Sequence, residues 1–219
     1  MASKIQYFYT DEQITVWLQG LLSIAWADGC FAPEEKASIT TLMEQDLAPA
    51  IDLESAMTIS PTELAAVLGQ DSHMAENFLR TAVMVAIADG TYSLPEDELL
   101  HQFCAALGQQ PKALESLRLT LSDRADGVSP ASCPERLLSP VQDWLDRLEV
   151  QDPRLARFLC RMIPSQCPFE RDVTLFGRKI VHIPPMCKIN PLYEQLVGLR
   201  FRALSYLADQ CQEDVAKYC

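Results

Sequence analysis

A chain of 219 residues, 48% hydrophobic and with a net charge of −12, has ample apolar material for a core, which excludes disorder. Residues 1–150 hold 8 Lys and Arg against 23 Asp and Glu, whereas residues 151–219 hold 10 against 7; that step predicts a domain boundary. An acidic first half argues against nucleic acid as a partner, because phosphates would be repelled.

Apolar spacing predicts a first helix from about Asp11 to Asp28, burying Ile14, Trp17, Leu18, Leu21, Leu22 and Ala25. A second is expected from Pro33 to Asp46, then a short one after Ser60-Pro61 that carries Leu64, Val67 and Leu68 and stops at Gly69. The segment Ser72 to Asp89 is apolar nearly all round after Arg80 and should be the central helix of the first domain. Helices over Pro95–Leu107, ending at Gly108, and Pro111–Leu121 follow. The composition then turns to Asp, Gly, Ser and Pro, which predicts a first domain over residues 1–125, a linker over 126–132 and a second domain over 133–219.

In the second domain, Cys133–Val150 and Asp152-Pro153 to Met162 read as helices, and Val173 to Val181, with Gly177 at its centre, as a small hairpin. The last helix should begin at Asn190-Pro191, with Asn as N-cap and Pro at the first helical position. It carries two apolar stripes, Leu192-Leu196-Leu199-Ala203-Tyr206 and Val197-Phe201-Leu204-Ala208, which call for contact on two sides. The expected fold is therefore mainly α: a helical bundle with a repeated helical hairpin, then a helical module carrying a β-hairpin. The first nine residues lack a signal peptide's apolar run, and the longest apolar run, Ala82 to Ala88, is too short to span a membrane. A cytoplasmic protein is expected, with membrane contact at most peripheral.

The repeat is direct. Trp17–Gly29 aligns without a gap on Phe78–Gly90 at a constant offset of 61 residues, and the register continues with Phe31 on Tyr92, Glu35 on Glu96 and Leu42 on Phe103. Gly29 and Gly90 read as left-handed helix stops. Asp28 and Asp89 precede them, where the end of a helix dipole disfavours an anion by roughly 0.3–1 kcal/mol. A backbone N–H, a basic neighbour or a cation shared with Glu35 and Glu96 would offset that conflict. In the competing reading each Asp caps the next helix and each Glu sits in a favourable first turn. The sequences ADGCFAPEE and ADGTYSLPE resemble the TerB-like (tellurite-resistance B) helical family over about residues 10–120. That resemblance implies an all-α bundle whose Asp28, Glu35, Asp89 and Glu96, with Glu34 and Glu98 outlying, gather round a divalent metal. Oxygen ligands point to Mg²⁺ or Ca²⁺; the acidic spacing of an EF-hand is missing.

Eight cysteines without an export signal read mainly as buried thiols. Cys160, Cys167, His182 and Cys187 form an alternative soft-metal set for Zn or an Fe–S cluster, although their gaps exceed those of ordinary zinc modules. Arg154, Arg157 and Arg161 share one helical face, open to solvent, to the acidic first half, to an acidic partner or to anionic lipid. The run from CPFERDVTLFGRK through IPPMCKINPLYEQL to LADQC looks like the cyanobacterial family labelled after the C-terminus of molybdenum-dependent nitrogenase, over roughly residues 133–219. It implies a lineage and a nitrogen or redox setting; the chain lacks the size and cluster ligands of a nitrogenase catalytic subunit. No P-loop, GxGxxG, HExxH, GxSxG or CxxC is present. The leading expectation is a non-enzymatic accessory protein that binds or senses a divalent ion and docks on a larger protein complex. A thiol or metal-cluster protein of redox or cofactor assembly is the alternative, and a metal-dependent hydrolase a third.

Overall fold

The same local signal starts three helices. A Ser or Thr followed three residues later by Gln or Glu closes a capping box, in which each side chain bonds the other residue's backbone N–H. Thr10 and Gln13 do this for α1 (Asp11–Ala25), Ser60 and Glu63 for α2 (Pro61–Leu68), and Ser93 and Glu96 for α4 (Leu94–Ala106). Asp71 caps α3 (Ser72–Ala86) alone, accepting from the N–H groups of His73 and Met74.

The computed structural model describes residues 8–27, 58–87, 92–125, 135–163, 171–175, 178–183 and 192–218. Within them α5 (Lys112–Ala125), α6 (Glu135–Leu145), α7 (Pro153–Met162) and α8 (Tyr193–Ser205) complete eight α-helices, so the protein is mainly helical. Strands β1 (Arg171–Leu175) and β2 (Arg178–Ile183) pair antiparallel, with Asp172 opposite His182 and an irregularity between Val173 and Thr174. The expected helix over Pro33–Asp46 and the expected linker over 126–132 lie outside the described residues.

Helices α1 and α3 have the same length, fifteen residues, in the register of the sequence repeat. They also close alike, at Trp26 (φ −104°, ψ 0°) and at Ile87 (φ −103°, ψ 4°). At these caps the Trp26 N–H bonds the Leu22 carbonyl at 3.0 Å and the Ile87 N–H the Val83 carbonyl at 3.1 Å, and the expected helix ends at Asp28 and Asp89 lie outside the described residues.

Every residue from Asn77 to Ala86 is buried, as expected of a central helix. Phe78 at its middle meets Trp17 of α1 edge-on at 5.8 Å and Phe103 of α4 at 5.7 Å, the offset geometry that aromatic quadrupoles favour. Gly20 lets α1 approach this centre. A Cβ there would lie 2.7 Å from both Leu64 Cδ1 and Phe78 Cζ.

Elements of the second half differ from expectation at their ends. Helix α6 stops at Leu145 rather than Val150, because Leu148 turns into the core and the Glu149 backbone is held by a side chain of α3. It runs through Pro140, which forgoes one helical N–H. Helix α8 begins at Tyr193 with Leu192 at its cap and no side-chain cap bond, so the start predicted at Asn190-Pro191 is corrected. Leu192 is buried. The helix widens into a π turn over Tyr206–Gln210 capped by Cys211, and the positive φ of 54° at Gln212 lets the Glu213 N–H bond the Leu207 carbonyl.

Gly20→Ala tests the close approach. Alanine's better helix propensity gains at most about 1 kcal/mol, whereas overpacking against Leu64 and Phe78 costs about 1–3 kcal/mol. Urea denaturation should show net destabilisation.

Candidate functional site

Of the four carboxylates predicted to share an ion, only Glu96 is described; Asp28, Glu35 and Asp89, with outlying Glu34, lie outside the described residues. Glu96 is buried, and its Oε2 accepts from the Ser93 N–H at 2.8 Å, so capping uses one of its oxygens. Glu98 is exposed. The carboxylate between them, Asp97, carries no signal of its own in the sequence. Asp97 is 1% exposed; its Oδ1 accepts from the Tyr92 hydroxyl at 2.9 Å and lies 3.4 Å from His101 Nδ1. Arg118 Nε sits 3.3 Å from Oδ2 as a charge partner, although no hydrogen bond reaches that buried oxygen. Burial, then the charge and hydrogen bond of Asp97, hold the Tyr92 phenol well above its ordinary range. Burial also pushes the nearby Cys104 thiol up to about 12, so it stays protonated at neutral pH. Among the described residues no group of three or more His, Cys, Asp and Glu is arranged to hold a metal.

The alternative thiol set is only partly in view. Cys160 is buried on α7, its carbonyl accepting from Arg200; Cys167 and Cys187 lie outside the described residues, and for His182 only the backbone position in β2 is given.

The densest polar geometry joins the two halves. Asp152, fully buried, caps α7 by accepting from the Arg154 N–H at 2.9 Å and also accepts the Tyr9 N–H at 3.3 Å. Arg154 donates through Nε and Nη2 to Asp152, both at 3.0 Å, through Nη2 to the Tyr9 carbonyl at 2.9 Å and through Nη1 to Asp11 at 2.6 Å. Burial works against the Arg154 charge, but Asp152 and Asp11 outweigh it and hold the guanidinium above its usual range. Burial pushes the adjoining Tyr9 hydroxyl up to about 12. A second seam runs from α3: Asn77 bonds both the Glu149 carbonyl (2.8 Å) and the Glu149 N–H (3.0 Å), while Arg80 Nε donates to the Trp144 carbonyl at 2.9 Å. Glu76 accepts from both Arg80 and the Trp144 indole.

The predicted arginine row is thus spent internally. Arg157 pairs with Glu213 at 2.9 Å, and Arg161 lies over the Tyr218 ring at 5.8 Å. Arg200 of α8 is buried, donating to the carbonyls of Cys160, Ile163 and Tyr218. These contacts fold residues 211–218 back onto α7. Of the two apolar stripes on α8, one packs inward through Leu192, Leu196, Leu199 and Ala203, while on the other Phe201 is 69% and Val197 45% exposed.

A model of the family described as "Mo-dependent nitrogenase C-terminus" matches residues 137–219, from α6 to the folded-back tail. No curated protein and no solved structure matches the chain. None of these comparisons supports a TerB-like first half.

Removing one partner of the buried pair should be severe. Asp152→Ala takes from Arg154 its fully buried counter-charge, while Asp11 is 95% exposed, and should cost about 3–5 kcal/mol in urea denaturation. Asp152→Leu with Arg154→Met should cost less than the two single changes added. A pH effect follows at the tail. Burial tends to raise the Glu213 carboxyl, yet hydrogen bonds from Lys217 and Arg157 hold it below its ordinary range. Its stabilisation is therefore complete above the unfolded carboxylate pKa and fades as pH falls through the lowered folded value. The gap in urea midpoint between the wild type and Glu213→Gln should narrow on acidification.

Proposed function

We propose that this chain is a non-enzymatic accessory protein, a helical body that docks through its second half on a larger protein complex. The observation that carries this reading is the outward pair Val197 and Phe201, on the helix of the segment similar to the nitrogenase-named family. A helix that buries an arginine and leaves a phenylalanine to water inverts the usual preference, and exposed apolar residues in register on one helix favour an interaction surface. The family's description favours a nitrogenase-associated setting, so the host of choice is the native organism grown with molybdenum and without fixed nitrogen. Tagged chain, cross-linked in that host and recovered, should bring down a defined complex at fixed stoichiometry. Recovery of the chain alone, with the same cross-linker capturing known complexes, contradicts docking. No described helix is long and apolar enough to cross a membrane.

The first half, in the same proposal, is a TerB-like bundle in which Asp28, Glu35, Asp89 and Glu96 bind Mg²⁺ or Ca²⁺. Support comes from the duplicated Asp-Gly-x5-Glu pattern and from the matching ends of α1 and α3. Titration calorimetry should show heat on adding Ca²⁺ or Mg²⁺ to the wild type and none for Asp28→Ala with Asp89→Ala. An equal response from the double variant removes the ion from the proposal.

A further inference from the structure

Building on that docking reading, we infer what kind of segment the outward face of α8 receives: an apolar helix from a different protein, carrying basic residues at both ends. Val197 and Phe201 are one helical turn apart, so their side chains adjoin. Gly198 beside them leaves open space, where an added Cβ would meet nothing within 4 Å. Leu204, partly buried, continues the stripe. The result is a ridge with a notch at its side, a shape that takes knobs from another helix.

Charge selects among occupants. Glu194 at the start of the helix and Asp209 at its end are exposed, and neither has an ion pair among the described residues. At 1.5 Å per residue they stand roughly 22 Å apart, the length of a helix of about four turns. Two copies of this chain pairing α8 about a twofold axis would set Glu194 against Asp209 if antiparallel, or each against its own counterpart if parallel, within a pair each bearing −12. An anionic membrane meets the same acidic borders. A segment with Leu or Ile at its centre and Lys or Arg about four turns apart satisfies both the ridge and the borders.

Full-length chain titrated with two labelled helical peptides of the same leucine face, one Lys-flanked and one Glu-flanked, tests this by fluorescence anisotropy. The Lys-flanked peptide should bind saturably and the Glu-flanked one should not. Phe201→Ser, at an exposed position that leaves the helical circular dichroism unchanged, should weaken binding at least about tenfold, as loss of an aromatic anchor does. Glu194→Lys with Asp209→Lys should reverse the peptide preference. Binding indifferent to Phe201→Ser, an unreversed preference or no saturable binding overturns the inference. So does a Phe201-dependent dimer in sedimentation or Phe201-dependent flotation with neutral vesicles. If the host complex is recovered equally with wild type and Phe201→Ser, docking stands and this face is not its seat; if no host complex forms, the docking reading itself falls.

Discussion

Two charges sealed at the entry to α7 constrain much of what surrounds them. A buried ion pair is tolerated only when its remaining lone pairs and protons are satisfied, since taking each ion out of water costs several kcal/mol. Asp152 and Arg154 meet that demand with groups 143 to 145 residues away, the backbone of Tyr9 and the carboxylate of Asp11. Entry into α1 and entry into α7 are therefore one construction. The Thr10 capping box starts α1 between the two residues that Arg154 grips, so the helix that feeds Trp17 and Gly20 into the core is aimed from the other half of the sequence.

The polar residues of α3 belong to the same design. Asn77 imitates a strand neighbour, giving and taking a hydrogen bond with the Glu149 backbone, and Arg80 satisfies a carbonyl at the end of α6. In an otherwise apolar helix these two groups fix where the chain after α6 may lie, because each is buried and would be left unsatisfied in any other register. The hydrogen bonds of Asn77 and Arg80 are short and made by buried side chains, so salt screens them poorly.

Local chemistry was legible in the sequence, and distant chemistry was not. The boxes at Thr10, Ser60 and Ser93 need only residues three apart, and the apolar period of α3 needs only its own segment. For Arg154, Arg157 and Arg161 the sequence leaves solvent, the acidic first half, an acidic partner and lipid all open, because nothing nearby in sequence announces Tyr9, Asp11 or Glu213 as partners. Asp97 was hidden for the same reason: in the run Glu96-Asp97-Glu98 only folding shows which carboxylate meets Tyr92 and Arg118. The duplicated pattern singled out Glu96, and the structure shows that capping already engages one of its oxygens, so an ion there would share it or draw on the other. The two stripes of α8 were readable from spacing alone. Which one faces outward was decided by Arg200, whose three carbonyl partners draw its side of the helix inward.

Residues of both halves contribute to one core cluster, and the clamp at Asp152 ties the entries of α1 and α7 together at its edge. Native-state hydrogen exchange followed under increasing urea measures this directly. With one shared core, the slowest amides of α3 and of α7 should merge into one common opening reaction, with the free energy of global unfolding. Contradiction would come from α7 and α8 exchanging through a separate, lower-energy opening while α1 and α3 stay protected.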